Sequence, residues 1–80
     1  MTVLIKWKES NAFEEGHRIY RNTQYFSSKN LPNALVELGA NIEEYEDTTA
    51  NPGENWYIIS SFMINGHEVF SQAFIPEGKS

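Results

Sequence analysis

The dipeptide Asn65-Gly66 constrains the fold of this chain more than any other feature, because it separates two apolar runs, WYIISSFMI (56–64) and HEVFSQAFI (67–75). Asn-Gly between such runs favours a β-hairpin, since both central residues of a type I′ turn need a positive φ. The pattern therefore predicts two antiparallel strands joined by a two-residue turn at Asn65 and Gly66. Both runs are apolar on both faces, although a domain of 80 residues needs only one face of a sheet for its core.

The remaining strand candidates are short. TVLIKWKE (2–9) and HRIYRN (17–22) alternate apolar with polar residues, which is typical of half-buried strands, and IEEYED (42–47) is interpreted in the same way. ALVEL (34–38) is too short to form a stable helix by itself and is interpreted as a short strand or a single turn. Together with the hairpin, these segments predict an all-β sandwich or small barrel.

The segments between these candidates carry turn signals. Residues 10–16 read as a polar loop, and TQYFSSKNLPN (23–33) reads as a loop with room for a short edge strand. TTANPGEN (48–55) is a turn-rich connection, and PEGKS (76–80) is interpreted as a frayed tail. We therefore expect one domain over residues 1–75, followed by a flexible tail at 76–80.

Composition narrows the classes of function. The formal net charge of −5 and the isoelectric point near 4.8 argue against nucleic acid as a main partner, because phosphate binding requires clustered Lys and Arg. No apolar run approaches the ~18 residues of a membrane span, and the N-terminal residues do not form a secretory signal peptide. The absence of cysteine excludes disulfides and thiolate zinc sites. We expect a soluble chain without a nucleic-acid or membrane partner.

Two stretches, GHRIYRN (16–22) and YEDTTANPGENWYIISSF (45–62), resemble the fibronectin type III family of Ig-like sandwiches. Members of that family carry a Trp on the second strand, a GY-x-I-Y-R-like third strand and a Y-x-D-x-x-x-x-P-G-x-x-Y stretch that enters the sixth strand. The resemblance covers residues 3–75 and implies a fibronectin-III-like antiparallel β-sandwich whose third strand lies beside the sixth. The residues that match the family features are Trp7, Gly16 to Arg21, and Tyr45, Asp47, Pro52, Gly53 and Trp56.

The chain also departs from the family pattern. Trp56 stands where the family has a Tyr, and because an indole N–H can only donate, the tyrosine corner of such sandwiches would be remade or lost. His17 and Ser60 stand where apolar core residues are usual. Only six residues precede Trp7, too few for the first strand of the family. We therefore expect the first strand to be missing, which would leave an open sheet edge beside the Trp7 strand.

The predicted two-residue turn assigns the faces of the hairpin, because it places Phe62 opposite Val69 and Tyr57 opposite Phe74. The resemblance implies that Trp56 points inward, and a slip of the register by one residue would exchange the two faces. The predicted core residues are Val3, Ile5, Trp7, Ile19, Trp56, Ile58, Phe62 and Val69. The predicted partner-binding residues on the outer face are Tyr20, Tyr57, Ile59, Met63, Phe70 and Phe74.

Two coverings of this apolar outer face remain open. In the first, another chain binds it, since exposed apolar patches of several hundred Å² usually mark a partner surface. In the second, the segment 23–38 of the same chain folds over it. That segment carries large apolar residues that need burial, namely Tyr25, Phe26, Leu31, Leu35 and Leu38.

The sequence favours no catalytic or metal site. His17 and His67 fall on predicted strands without the spacing of metal ligands. No serine stands in a pattern of nucleophile, base and orienting acid, and Ser60 opposite Ser71 is interpreted as a hydrogen-bonded pair. The acidic residues of 43–47 lack the pattern of a calcium loop and are interpreted as a solvated face. We therefore predict a non-enzymatic protein without a metal or cofactor.

Short Ig-like chains without a signal peptide resemble structural proteins of bacteriophage particles, which assemble in the host cytoplasm. The resemblance implies a virion component, such as a decoration, neck, tail or baseplate protein, that binds copies of itself or other virion proteins. The open edge would accept a partner strand by β-augmentation. Two alternatives remain: a carbohydrate-binding accessory module that uses aromatic residues such as Tyr20, Tyr57, Phe70 and Phe74, or a domain of a larger extracellular protein.

Overall fold

A computed structural model of the chain describes residues 2–7, 14–76 and 78–79. The described residues form strands and no helix, which confirms the predicted all-β class. The strands are β1 (Val3–Lys6), β2 (Glu14–Asn22), β3 (Val36–Gly39), β4 (Glu44–Asp47), β5 (Trp56–Met63), β6 (Glu68–Phe70) and β7 (Gly78–Lys79).

These strands form two antiparallel sheets, with the orders β4-β1-β7 and β3-β2-β5-β6. The longest pairing joins β2 to β5, from Glu14 opposite Met63 to Asn22 opposite Trp56, and a bulge interrupts it between Glu14 and Gly16. Residues 14–16, expected to lie in a loop, therefore belong to β2. The arrangement is compatible with a β-sandwich.

The main core lies between the two sheets and is called here the inner core. It forms because alternate residues of each strand share one face, so that Val3 and Ile5 of β1 meet Ile19 of β2 and Ile59 of β5. The other members are Ala50 and Tyr57, with Trp7, Leu35, Val36, Leu38, Tyr45 and Phe74 packed against them.

A second cluster lies on the opposite face of the four-stranded sheet, called here the outer face. Its buried members are Tyr20, Ile58 and Phe26, and Phe26 comes from the loop at 23–33. Leu31 of the same loop packs against the cluster, as do Trp56, Phe70 and Ala73. The loop forms no strand and covers part of the outer face, whereas Leu35 and Leu38 pack into the inner core instead.

The hairpin turn differs from the prediction. The N–H of Gly66 donates to the C=O of Met63 (2.9 Å), and the N–H of Met63 donates to the C=O of His67 (2.8 Å), so the loop holds three residues. Gly66 has a φ of 88°, but Asn65 does not have a positive φ. This geometry matches a three-residue loop in which only the glycine is left-handed. The predicted type I′ turn is therefore wrong.

The longer loop moves the register of β6 by one residue. Phe62 lies opposite Glu68 and Ser61 opposite Val69, whereas the two-residue turn had placed Phe62 opposite Val69. Beyond β6 the original register returns, because Tyr57 bridges to Phe74, as predicted, through two backbone hydrogen bonds of 2.8 and 2.9 Å. The second strand of the hairpin is therefore broken after Phe70.

Residues at the C-terminal end were expected to form a frayed tail, but Gly78 and Lys79 form β7. This strand pairs with β1, with Lys79 opposite Val3 and Gly78 opposite Leu4. The edge of β1 that was expected to be open is thus occupied along these two positions. The sequence pattern did not indicate this pairing, because β7 and β1 are far apart in the chain and no local preference links them.

Candidate functional site

The pairing of β2 with β5 decides which residues of β5 face inward. Ile59 lies opposite Ile19, and Tyr57 is two residues away on the same face, so both enter the inner core. Tyr57 is fully buried. These two residues, which the sequence placed on the partner-binding face, are therefore inside the molecule, and the alternate residues of β5, Trp56 and Ile58, lie on the outer face.

The other predicted partner-binding residues are divided between the two faces. Tyr20 is buried on the outer face, and Phe70 is half-buried beside it, with ring centroids 6.2 Å apart. Phe74 packs against the inner core, its ring 6.4 Å from that of Tyr57, and Met63 is half-buried at the end of β5. The six residues therefore do not form one surface.

The predicted core residues are divided in the same way. Four of them, Val3, Ile5, Ile19 and Trp7, belong to or pack against the inner core. The remaining four do not: Trp56 and Ile58 belong to the outer cluster, Phe62 is half-buried with the Arg18 guanidinium 4.2 Å over its ring, and Val69 is 51% exposed.

Tyr57 faces inward with a hydrogen-bond partner for its hydroxyl. That hydroxyl donates to Oδ2 of Asp47 (2.7 Å), and Arg21 donates to the same oxygen (2.8 Å). The N–H and hydroxyl of Thr49 donate to Oδ1 (3.0 and 2.9 Å). Asp47 is fully buried, which corrects its interpretation as part of a solvated face. The carboxylate joins β4 of one sheet to β2 and β5 of the other.

The protonation of this cluster follows from its contacts. Burial alone would raise the pKa of Asp47, but the hydrogen bonds from Tyr57, Arg21 and Thr49 outweigh burial and hold that pKa below its usual value. Burial, together with the neighbouring carboxylate, raises the pKa of the Tyr57 hydroxyl. The cluster is therefore a charged Asp with a neutral Tyr near neutral pH, and every oxygen of the carboxylate has donors.

A second polar network lies on the outer face around Glu68 of β6. Its carboxylate accepts hydrogen bonds from Arg18 (3.0 Å), the Tyr20 hydroxyl (3.0 Å) and the Ser60 hydroxyl (2.5 Å). Burial first, and then the Glu68 carboxylate, raise the pKa of Tyr20, so its hydroxyl stays a donor. Arg18 also donates to Glu37 of β3 (3.0 Å), and this contact raises the pKa of the guanidinium. The network ties together all four strands of the sheet.

One pair in the structure has the composition of a catalytic dyad. The Ser61 hydroxyl lies 3.2 Å from Nδ1 of His17. His17 is only 1% exposed and its ring packs edge-on against Trp7, with centroids 5.5 Å apart. His17 is therefore a packed residue inside the fold, and Ser61 is half-buried beside it.

The strand β6 is the last strand of the four-stranded sheet, and none of the described strands pairs with its outer edge. Just outside the β5–β6 ladder, the C=O of His67 accepts from the N–H of Met63, and the N–H of Ser71 donates to the C=O of Ile59. Antiparallel alternation therefore turns the backbone groups of Glu68 and Phe70 outward. This edge, with the exposed side chain of Val69, is called here the β6 edge.

A cavity of about 210 Å³ opens between the covering loop and the segment that follows β6. It is lined by 25–28 from the loop and by 70–73 from the segment, with Ile58 of β5 as its floor. We call it the aromatic pocket. The sequence indicated that Tyr25 and Phe26 needed a place to pack. It did not indicate that they line a cavity together with Gln72, because that arrangement depends on the fold of the loop.

Comparison of the chain with models of protein families, with curated proteins and with solved structures finds no match. Within the described residues, no helix is long and apolar enough to cross a membrane. The described part of the chain also holds no cluster of three or more His, Asp or Glu side chains arranged to bind a metal ion.

Proposed function

We propose that this protein is a non-enzymatic structural component of a bacteriophage virion that assembles by pairing its β6 edge with the β6 edge of a second copy. The observation that carries the proposal is the β6 edge itself, where outward backbone groups of Glu68 and Phe70 lie beside the exposed side chain of Val69. Unpaired edges of this kind readily accept another strand. Two copies with antiparallel β6 strands, related by a two-fold axis, would pair each other's backbone N–H and C=O groups.

The charge distribution supports pairing at β6 over pairing at β4. Edge strands are commonly protected by charged side chains, and the edge strand β4 carries exposed Glu44 and Glu46. The only charged side chain of β6, Glu68, is bound by Arg18, Tyr20 and Ser60 on the outer face. Its charge is therefore compensated within the chain and would repel a second copy only weakly.

Apolar surface next to the β6 edge adds to the proposal. Ile64, at the tip of the hairpin, is 82% exposed, and Val69 projects toward the side of the smaller sheet, beyond the inner core. A second four-stranded sheet joined at β6 would bury both side chains. Burial of apolar area contributes roughly 25 cal/mol per Å², which would add to the backbone hydrogen bonds of the paired edges.

We also infer that the sandwich is fibronectin-III-like. The sheet orders support this inference, since the strand that carries GHRIYRN (β2) lies beside the strand that carries WYIISSF (β5), as the resemblance implies. In Ig-like sandwiches the first strand pairs with the second. Here β7 occupies that side of β1, so it would take the position that the first strand has in the family.

Light scattering coupled to size exclusion, over a series of concentrations, tests the assembly. We expect the wild-type protein to form a dimer or a larger closed oligomer, and Val69→Lys to be monomeric because a charge would enter the paired edge. Ile42→Lys changes another exposed apolar residue outside β6 and should assemble like the wild type. A wild-type chain that is monomeric at every concentration, or a Val69→Lys variant that still assembles, would contradict the proposal.

The virion assignment has a separate test. An antibody against the purified chain should label phage particles purified from the host whose phage genome encodes it, as seen by electron microscopy. Particles that remain unlabelled while the antibody binds free protein in the same lysate would show that the chain is not a virion component.

A further inference from the structure

We propose that the aromatic pocket binds a single ring of a neutral carbohydrate. The first observation is the charge of its lining. The described residues that line the pocket are aromatic, aliphatic, hydroxyl-bearing or amide-bearing, and none carries a charge. In a chain with a net charge of −5, an uncharged pocket with several polar groups selects a neutral polar ligand rather than an ion or a phosphate.

The second observation is an aromatic ring that is exposed but held in place. Tyr25 is 64% exposed, although it is one of the largest apolar side chains of the molecule. Trp56 packs against it edge to face, with centroids 5.3 Å apart and an interplanar angle of 86°. An aromatic face attracts the weakly positive C–H groups of a sugar ring as it attracts the edge of another aromatic ring. Tyr25 is thus a fixed stacking platform at the mouth of the pocket.

The third observation is the supply of polar groups around the platform. The hydroxyl of Ser71 is committed, because it accepts from the N–H of Ile59 and donates to the C=O of Gln72. Ser27 accepts from the N–H of Lys29 at 3.3 Å, which leaves its O–H group to donate. The exposed side chain of Gln72 offers a donor and an acceptor together. Such groups match the hydroxyls of a sugar.

The size of the pocket limits the ligand to one ring. A cavity of about 210 Å³ is smaller than the ~300–1,000 Å³ of sites that enclose drug-sized ligands. Buried Phe26 and Ile58 and half-buried Phe70 line the pocket, and Tyr25 is the one exposed aromatic ring of its lining. A proline-rich peptide requires a longer groove lined by several aromatic residues. The geometry therefore favours a terminal sugar over such a peptide.

Titration of the labelled full chain by nuclear magnetic resonance tests this inference. The ligands are methyl glycosides of glucose, galactose, mannose and N-acetylglucosamine, used up to tens of millimolar, together with a proline-rich peptide. We expect at least one glycoside to shift the amide signals of 25–28 and 70–73, and the peptide to leave them unchanged. Shifts caused by the peptide alone, or by none of the ligands, would overturn the proposal.

Variants separate binding at this pocket from other binding. Tyr25→Ala and Gln72→Ala should weaken the glycoside at least about tenfold, which corresponds to about 1.4 kcal/mol, whereas Tyr25→Phe keeps the ring and should keep the affinity. Gln24→Ala removes an exposed amide next to Tyr25 but outside the pocket lining, and it should bind like the wild type. Unchanged affinity in Tyr25→Ala would overturn the proposal. Because Phe70 belongs both to the pocket and to the β6 edge, the titration is repeated with the monomeric Val69→Lys variant, which should bind the glycoside like the wild type.

Discussion

At the scale of single residues, the buried carboxylate of Asp47 is the clearest case of a side chain that depends on the whole fold. Its folded-state pKa is lowered, so its contribution to stability is present above the unfolded pKa, ~3.9, and is lost as the pH falls through the folded value. Asp47→Asn should lower the free energy of unfolding at pH 7 by about 3 kcal/mol, because Arg21 and Tyr57 lose a charged acceptor.

Denaturant unfolding at several pH values checks this prediction. The difference between Asp47→Asn and the wild type should begin to shrink below about pH 4, where the carboxylate of the unfolded chain becomes protonated. It should be smallest below the lowered native pKa, where the native carboxylate is protonated too and resembles an amide. Glu46→Gln, on the same strand but exposed, is the matched control and should change little. An equal difference at every pH would show that the charge of Asp47 does not stabilise the fold.

Gly16 is required at the bulge of β2 by lack of space. A Cβ at this position would collide with the backbone oxygen of Leu38 and would lie 2.8 Å from Cζ of Phe62. Gly16→Ala should therefore cost at least about 2 kcal/mol, since part of the collision is with backbone. Gly39 lies directly opposite on β3 with open space around its Cβ position, so Gly39→Ala should change the stability by less than about 0.5 kcal/mol.

Thermal unfolding of the two glycine variants measures this contrast. Large losses of stability at both positions would mean that the strands tolerate no side chain on either side of the pair. Small losses of stability at both positions would mean that β2 and β3 separate easily and that the bulge does not need a glycine.

At the scale of elements, the hairpin loop makes a prediction that distinguishes it from a type I′ turn. Within the hairpin loop only Gly66 has a positive φ, so Gly66→Ala should cost about 1 kcal/mol, the penalty of a left-handed residue with a Cβ. Asn65→Ala should cost less than about 0.5 kcal/mol, because it loses only an exposed hydrogen bond to the N–H of His67. Chemical denaturation of both variants gives the two values, and comparable losses would point to a type I′ turn.

The loop at 23–33 acts as a covering element, and its anchor is Phe26. Phe26→Ala should lower the free energy of unfolding by about 3 kcal/mol, because it removes the buried ring that packs on Tyr20 and Ile58. The exposed neighbour Tyr25 serves as the control, since Tyr25→Ala removes a ring of which most is already in water. A small effect of Phe26→Ala in urea unfolding would indicate that the outer face is not covered by this loop in solution.

At the scale of the whole molecule, stability is concentrated in the central pair of strands. β2 and β5 pair over their full length and contribute side chains to both apolar clusters, whereas β7 pairs with β1 at two positions only. We expect the amides of β2 and β5 to exchange slowest with deuterium and those of β7 to exchange fastest among the strands. Equal protection in β7 and β5 would show that the smaller sheet is as firmly closed as the larger one.

The sequence by itself determined the class of the fold and most of its elements. Alternation in the described part of 2–9, the apolar run at 56–64 and the turn residues around Gly53 follow from local backbone chemistry, and each indicates its element correctly, although residues 8 and 9 lie outside the described residues. Asn65-Gly66 indicated a turn at the right place but not its length. The pairing of Tyr57 with Phe74 was also predicted. Local patterns suffice here because the preferences for strands and turns act over a few residues.

Only the tertiary structure decided which face of each strand is buried. Asn65-Gly66 is compatible with a two-residue and with a three-residue loop, and since strand side chains repeat every two residues, one residue of difference changes the cross-strand neighbours of all three β6 residues. The inward position of Tyr57 depends on Asp47 and Arg21, which are distant in sequence. The aromatic pocket and the place of β7 depend on contacts of the same kind. Long-range pairing, which no short pattern encodes, therefore set the surfaces on which the proposed functions rest.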